Sequence, residues 1–167
     1  MKHQHLARRR AQAGFSLIEL LIVVAIVGIL AAVAVPKLLK NLETGRETAA
    51  IQTLRTVHNN QAQFSAMKGK FGTLAELNTA GLIDANYSGG TAVSGYVYTS
   101  TEATPDQYCV QATRSSATTA SRDFNVIEDG TIRYVETKAP SPVPHGAGAE
   151  LAGAGAGAAP AADAPKQ

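Results

Sequence analysis

Residues 15–35 are apolar almost without interruption, broken only by Ser16, Glu19 and Gly28, and the fourteen residues ahead of them contain no acidic side chain. A run of ~21 such residues makes a helix of about 30 Å, the thickness of a bilayer core. Lys2, Arg8, Arg9 and Arg10 lie just before the run and hold that end on the cytoplasmic side. Glu19 is the feature that needs a reason. A carboxylate inside a membrane-length segment is costly enough to mark function.

A cleaved secretory signal is the plain alternative, because Ala32-Val33-Ala34 reads as an A-x-A cleavage site. Glu19 interrupts the apolar stretch where such a signal wants no charge, and the run passes without a polar break into an amphipathic helix. The two readings place the mature start differently, at Val35 for a secretory signal.

Downstream of the run, charge excludes one broad class. Four of the fifteen Lys and Arg residues lie in the first ten positions, which leaves eleven against thirteen Asp and Glu. That balance lacks the basic footprint of nucleic-acid binding, and Arg114, Arg122 and Arg133 read as scattered solvated side chains. No specific nucleic acid is expected as a partner. Cys109 stands alone, so no intrachain disulfide can form. Its neighbours Tyr108 and Val110 are strand-type and not basic, which predicts a buried, unreactive thiol.

Pro36 should kink or break the helix. Residues 37–68 then continue as an amphipathic helix with apolar positions at Leu39, Leu42, Ala50, Leu54, Val57 and Phe64. Lys40, Glu43, Glu47, Arg55, Asn59 and Gln63 form the face expected to meet water. His58 borders the stripe with no second ligand at helical spacing, as a boundary histidine does. Gly69-Lys70-Phe71-Gly72 ends the helix, and Thr73 with Glu76 has the spacing of a capping box for a short helix.

Alternating residues from Tyr96 and again from Tyr108 read as strands around a Thr104-Pro105-Asp106 turn. Two more flank Glu128-Asp129-Gly130, a strong hairpin signal. The region 69–137 is thus a meander of about four strands, covered on one face by the amphipathic helix. Residues 138–167 are rich in Pro, Ala and Gly and lack large apolar side chains to offset ordering entropy, so they are expected to be disordered.

A basic leader ending in Gly14, then Phe15-Ser16-Leu17-Ile18-Glu19-Leu20-Leu21, and Pro36 closing the apolar run, resembles the class III signal of type IV pilins and of type II secretion pseudopilins. Close resemblance covers residues 14–39, and a weaker likeness of layout extends to about residue 137. It implies an α+β pilin-like fold in which a long N-terminal helix, hydrophobic and then amphipathic, packs on a small antiparallel sheet. It implies five segments: a cleaved leader (1–14), a transmembrane or filament-core helix (15–36), an amphipathic helix (37–68), the sheet region (69–137) and the tail.

The resemblance further implies that a prepilin peptidase cuts after Gly14 and methylates the amine of Phe15, and that Glu19 serves assembly. Gly28 and Pro36 match the residues bracketing a part of the helix that loosens in some filaments. The implied partners are the peptidase, membrane lipid before assembly, other pilin subunits, and an inner-membrane platform with its motor. Localisation would be the bacterial inner membrane, single-pass with a cytoplasmic N-terminus, and then a periplasmic or extracellular filament.

The chain departs from the family in lacking a second cysteine. Asp123, Glu128 and Asp129 cluster where some pseudopilins hold calcium, but no loop of alternating oxygen donors accompanies them, so no metal is assigned. No cofactor is implied, and no nucleophile elbow, phosphate loop or zinc motif suggests an enzyme. The leading reading is a structural pilus subunit. A pseudopilin of type II secretion is the alternative within the class, and a non-polymerising membrane-anchored periplasmic binding module the alternative outside it.

Overall fold

The computed structural model describes residues 15–152. The leader and Gly14, together with the tail beyond Ala152, lie outside them. Two compact units divide the chain between Lys40 and Asn41. Helix α1, Leu17–Lys68, carries Pro36 inside it, so the proline does not end the helix.

In the first unit, the large apolar side chains from Phe15 to Val35 are all exposed. Leucine and alanine favour a helix here and the β-branched residues cost it only roughly a few tenths of a kcal/mol each, so that Gly28 is the weakest helix former between Phe15 and Val35.

The second unit begins on the amphipathic half of α1. Its buried residues are Glu47, Ala50, Leu54, Val57, Gln61 and Phe64, an alternation of three and four that keeps one stripe toward the core. Leu42, expected in that stripe, is exposed, and in the first unit Leu39 is exposed as well. Glu47 is a correction of the opposite kind. Expected to face water, it is 6% exposed, because its position one turn before Ala50 decides its direction and its charge does not. Its carboxylate accepts from the Ser121 amide at 3.1 Å and pairs with Arg122 at 2.9 Å.

Helix α2, Leu74–Thr79, has the expected capping box. Thr73 Oγ1 accepts from the Glu76 amide at 3.2 Å, and Glu76 accepts from the Thr73 amide at 2.8 Å. The loop before it is tied to α1 by Gln61, whose amide donates to Gly72 O at 2.5 Å and accepts from Gly72 N at 3.0 Å. Phe64 and Leu77 leave no room there for a Cβ, so this residue is glycine.

The sheet is an antiparallel meander in the order β1 (Tyr96–Ala103), β2 (Tyr108–Arg114), β3 (Arg122–Ile127), β4 (Ile132–Glu136) and β5 (Ala149–Glu150). Tyr96, Tyr98, Tyr108, Val110, Ala112, Phe124, Val126 and Ile132 form one core with Ala50, Leu54 and Val57 of α1. This is the period-two face of each strand set against the helical stripe. A bulge between Ser100 and Glu102 shifts the β1–β2 register.

The fifth strand goes beyond the four expected, and the expectation of a disordered tail from residue 138 does not hold over its described part, residues 138–152. Val143 is buried, and Tyr134 pairs with Ala149 and Arg133 with Glu150. The glycines that suggest disorder in the sequence allow this return. Gly148 has φ +98°, and a Cβ there would meet the backbone of Tyr134 at 2.8 Å, so only glycine lets the chain lie this close to β4.

Candidate functional site

Of the residues singled out from the sequence, Gly14 lies outside the described residues. Phe15 shortly precedes α1 and is 80% exposed. Glu19 stands in the first turn, where the unpaired amides of a helix start favour a carboxylate. Among the described residues no ion pair involves Glu19. Gly28 sits mid-helix, and a Cβ added there would find open space for 4 Å around it. Pro36 follows about two turns later inside the same helix.

Glu19, Gly28 and Pro36 thus share, with Phe15 at its start, one helix that is long and apolar enough to cross a membrane, none of that window being buried. Fourteen large apolar side chains from Phe15 to Val35 face outward. Covering each is worth about 1.5–3 kcal/mol, so removing the whole surface from water is worth on the order of 20–40 kcal/mol. A helix of this kind needs a cover, whether lipid or other helices. Once covered, Glu19 would carry a desolvation penalty of several kcal/mol unless a cation meets it.

The folded head offers no comparable chemistry. Among the described residues no three His, Cys, Asp or Glu side chains are placed to hold a metal ion. Asp123 is taken by Arg114 at 3.1 Å, Asp129 by Arg133 at 2.7 Å, and Glu128 by His145 at 3.0 Å. Burial pushes the Glu128 carboxyl up, but its own amide and His145 outweigh that and hold it below the usual range. Burial also pushes Asp129 up, and Arg133 with the Thr131 amide outweighs it, so this carboxyl is lowered too. His58 is half-buried and hydrogen-bonded to the Tyr108 hydroxyl, as a boundary histidine. Burial raises both the Tyr108 phenol and the Cys109 thiol, which leaves the cysteine protonated and inert.

The three arginines are not the solvated trio expected. Arg114 is buried against Asp123; Arg122 pairs with Glu47 and lies 5.2 Å from the centre of the Tyr134 ring; Arg133 bridges Asp129 and Glu150. Reasoning on single residues misses these partners because most come from other elements.

A long apolar N-terminal helix whose second half packs on a small antiparallel sheet is a pilin-like arrangement. Comparison with known proteins agrees: residues 9–35 match the family described as the prokaryotic N-terminal methylation motif. That match takes in Gly14, Phe15, Glu19 and Gly28, with Pro36 one residue beyond. The chain is also 40% identical over 62 residues to the type IV major pilin protein PilA of Myxococcus xanthus (strain DK1622). The aligned stretch is 37% of this chain and 28% of that relative. The chain is type IV pilin-like and carries the methylation motif.

Proposed function

We propose that the chain is a structural, non-enzymatic subunit of a type IV pilus, polymerising through the apolar half of α1. The observation that carries this reading is an exposed apolar helix holding one carboxylate in its first turn. Lipid covers that helix before assembly, with the N-terminus cytoplasmic, and neighbouring helices cover it afterwards. A prepilin peptidase cuts after Gly14, where the missing Cβ eases entry to a protease site, and the new amine of Phe15 is methylated.

Glu19 then meets the cationic Phe15 amine of a neighbouring subunit, which offsets the carboxylate's desolvation and fixes the axial step. Head-to-tail contacts of this type build an open filament. The interval from Gly28 to Pro36 combines low propensity with a lost backbone hydrogen bond, and it supplies the place where the helix loosens on packing. An inner-membrane platform and motor would move subunits from lipid to filament. The pilus reading takes its support from the likeness to a type IV major pilin; a pseudopilin of type II secretion is the alternative within the class.

The test is the mass of the N-terminal peptide of this protein in a filament fraction sheared from cells. A peptide beginning at singly methylated Phe15 is expected. One beginning at Val35 would return the secretory reading, and absence of the protein from sheared filaments would support the membrane-anchored binding module.

A further inference from the structure

Residues 137–145 cross the sheet on the face turned away from α1. The alternation of the strands establishes this. Tyr108, Val110, Ala112, Phe124 and Val126 join the helix-facing core, whereas the intervening Gln111 and Asn125 are buried and reach the crossing segment. With one cysteine in the chain, no intrachain disulfide ties this segment down.

It is held at three points. At the first, Arg114 Nη2 donates to Thr137 O at 3.1 Å and to Ala139 O at 2.9 Å, while Asp123 Oδ2 accepts from the Ser141 amide at 2.9 Å. At the second, Gln111 Nε2 donates to Val143 O at 2.9 Å, Asn125 Nδ2 donates to Pro144 O at 2.6 Å, and the Val143 side chain is 1% exposed. At the third, His145 Nε2 lies 3.0 Å from Glu128 and 3.9 Å from Glu102.

This attachment differs in kind from the core. It rests on hydrogen bonds to the strap backbone, on the His145 contact and on one fully buried apolar side chain of its own. Arg114 and Asp123 belong to β2 and β3 and remain bonded to each other when the strap leaves; only their outward bonds are lost. Pro140, Pro142 and Pro144 restrict the free segment and so reduce the entropy lost on closing. A segment with few apolar contacts and polar anchors opens more readily than the core beside it.

We propose that residues 137–145 form a latch that opens as a unit while α1 and the sheet stay folded, with the Arg114–Asp123 pair as its fixed catch. Beneath it lie Gln111 and Asn125, and Cys109 and Ile127, both buried, are on the same face by alternation. The latch gates that face. The inference is independent of the filament reading.

Cys109 is a native reporter of opening. The full-length chain in detergent micelles is labelled with a maleimide across a urea series, and global unfolding is followed by far-UV circular dichroism. Ser141→Pro removes one donor to Asp123, and Val143→Ala shortens the buried anchor; neither touches the helix-facing core. Both variants are expected to label about tenfold faster or more, with a shallow urea dependence well below the global midpoint and a fall in that midpoint no larger than the same free-energy change. Labelling that follows global unfolding with its full urea slope, or a rate that neither variant moves, overturns the proposal.

Discussion

Glu47 shows how position overrides chemistry at the scale of a residue. Its side chain is directed inward by the same three-four spacing that buries Ala50 and Leu54, and the head answers the charge with Arg122 and the Ser121 amide. Glu47→Ala should therefore destabilise the head by about 1–3 kcal/mol in urea denaturation, since it leaves the part-buried Ser121 amide unmet and removes the partner of Arg122. A loss within the scatter of surface substitutions would mean that Arg122 is held by Tyr134 and solvent alone. The burial of Glu47 was legible in the spacing of 47, 50, 54, 57, 61 and 64. Reading by residue type, which assigns charged side chains to water, concealed it. The partner of Arg114 was not legible at all, because Asp123 approaches it from another strand and the strap carbonyls from beyond β4.

At the scale of an element, the meander was readable because its strands alternate and Asp129-Gly130 sits between two of them. Strand β5 was not, since two residues in an Ala- and Gly-rich stretch carry no period; its pairing arises only once β4 is in place. Helix α2 was readable from its cap, and that cap has a pH signature. Hydrogen bonding from Lys70, then from the Thr73 amide, lowers the Glu76 carboxyl to about 2 against its ordinary 4.5. A depressed folded value stabilises the cap above the unfolded pKa, and the contribution is lost as pH falls through the folded one. NMR titration of Glu76 should place its midpoint below the ordinary value in the folded head, with Lys70→Ala moving it upward. Both partners are about half exposed, so the stability at stake is under about 1 kcal/mol. A midpoint at the ordinary value, unmoved by Lys70→Ala, would contradict the bonded cap.

At the scale of the whole molecule, two units divide the work. The head closes its own core between α1 and the sheet, and its carboxylates near the β3–β4 turn are each met by a cation or histidine. Among the described residues the first unit buries no large apolar side chain: its apolar surface and Glu19 face outward, and in the proposed function their partners come from other molecules. That half of the account was carried by the sequence from the start, because a leader, a glycine, an apolar run and one carboxylate need no tertiary context to be recognised. The head's details needed the fold. The most direct test of assembly through this helix is the yield of sheared filaments from cells expressing Glu19→Ala beside the unaltered chain, with equal amounts of both in the membrane. The account predicts loss of surface filaments with the subunit retained in the membrane, and normal filament yield from the variant would contradict it.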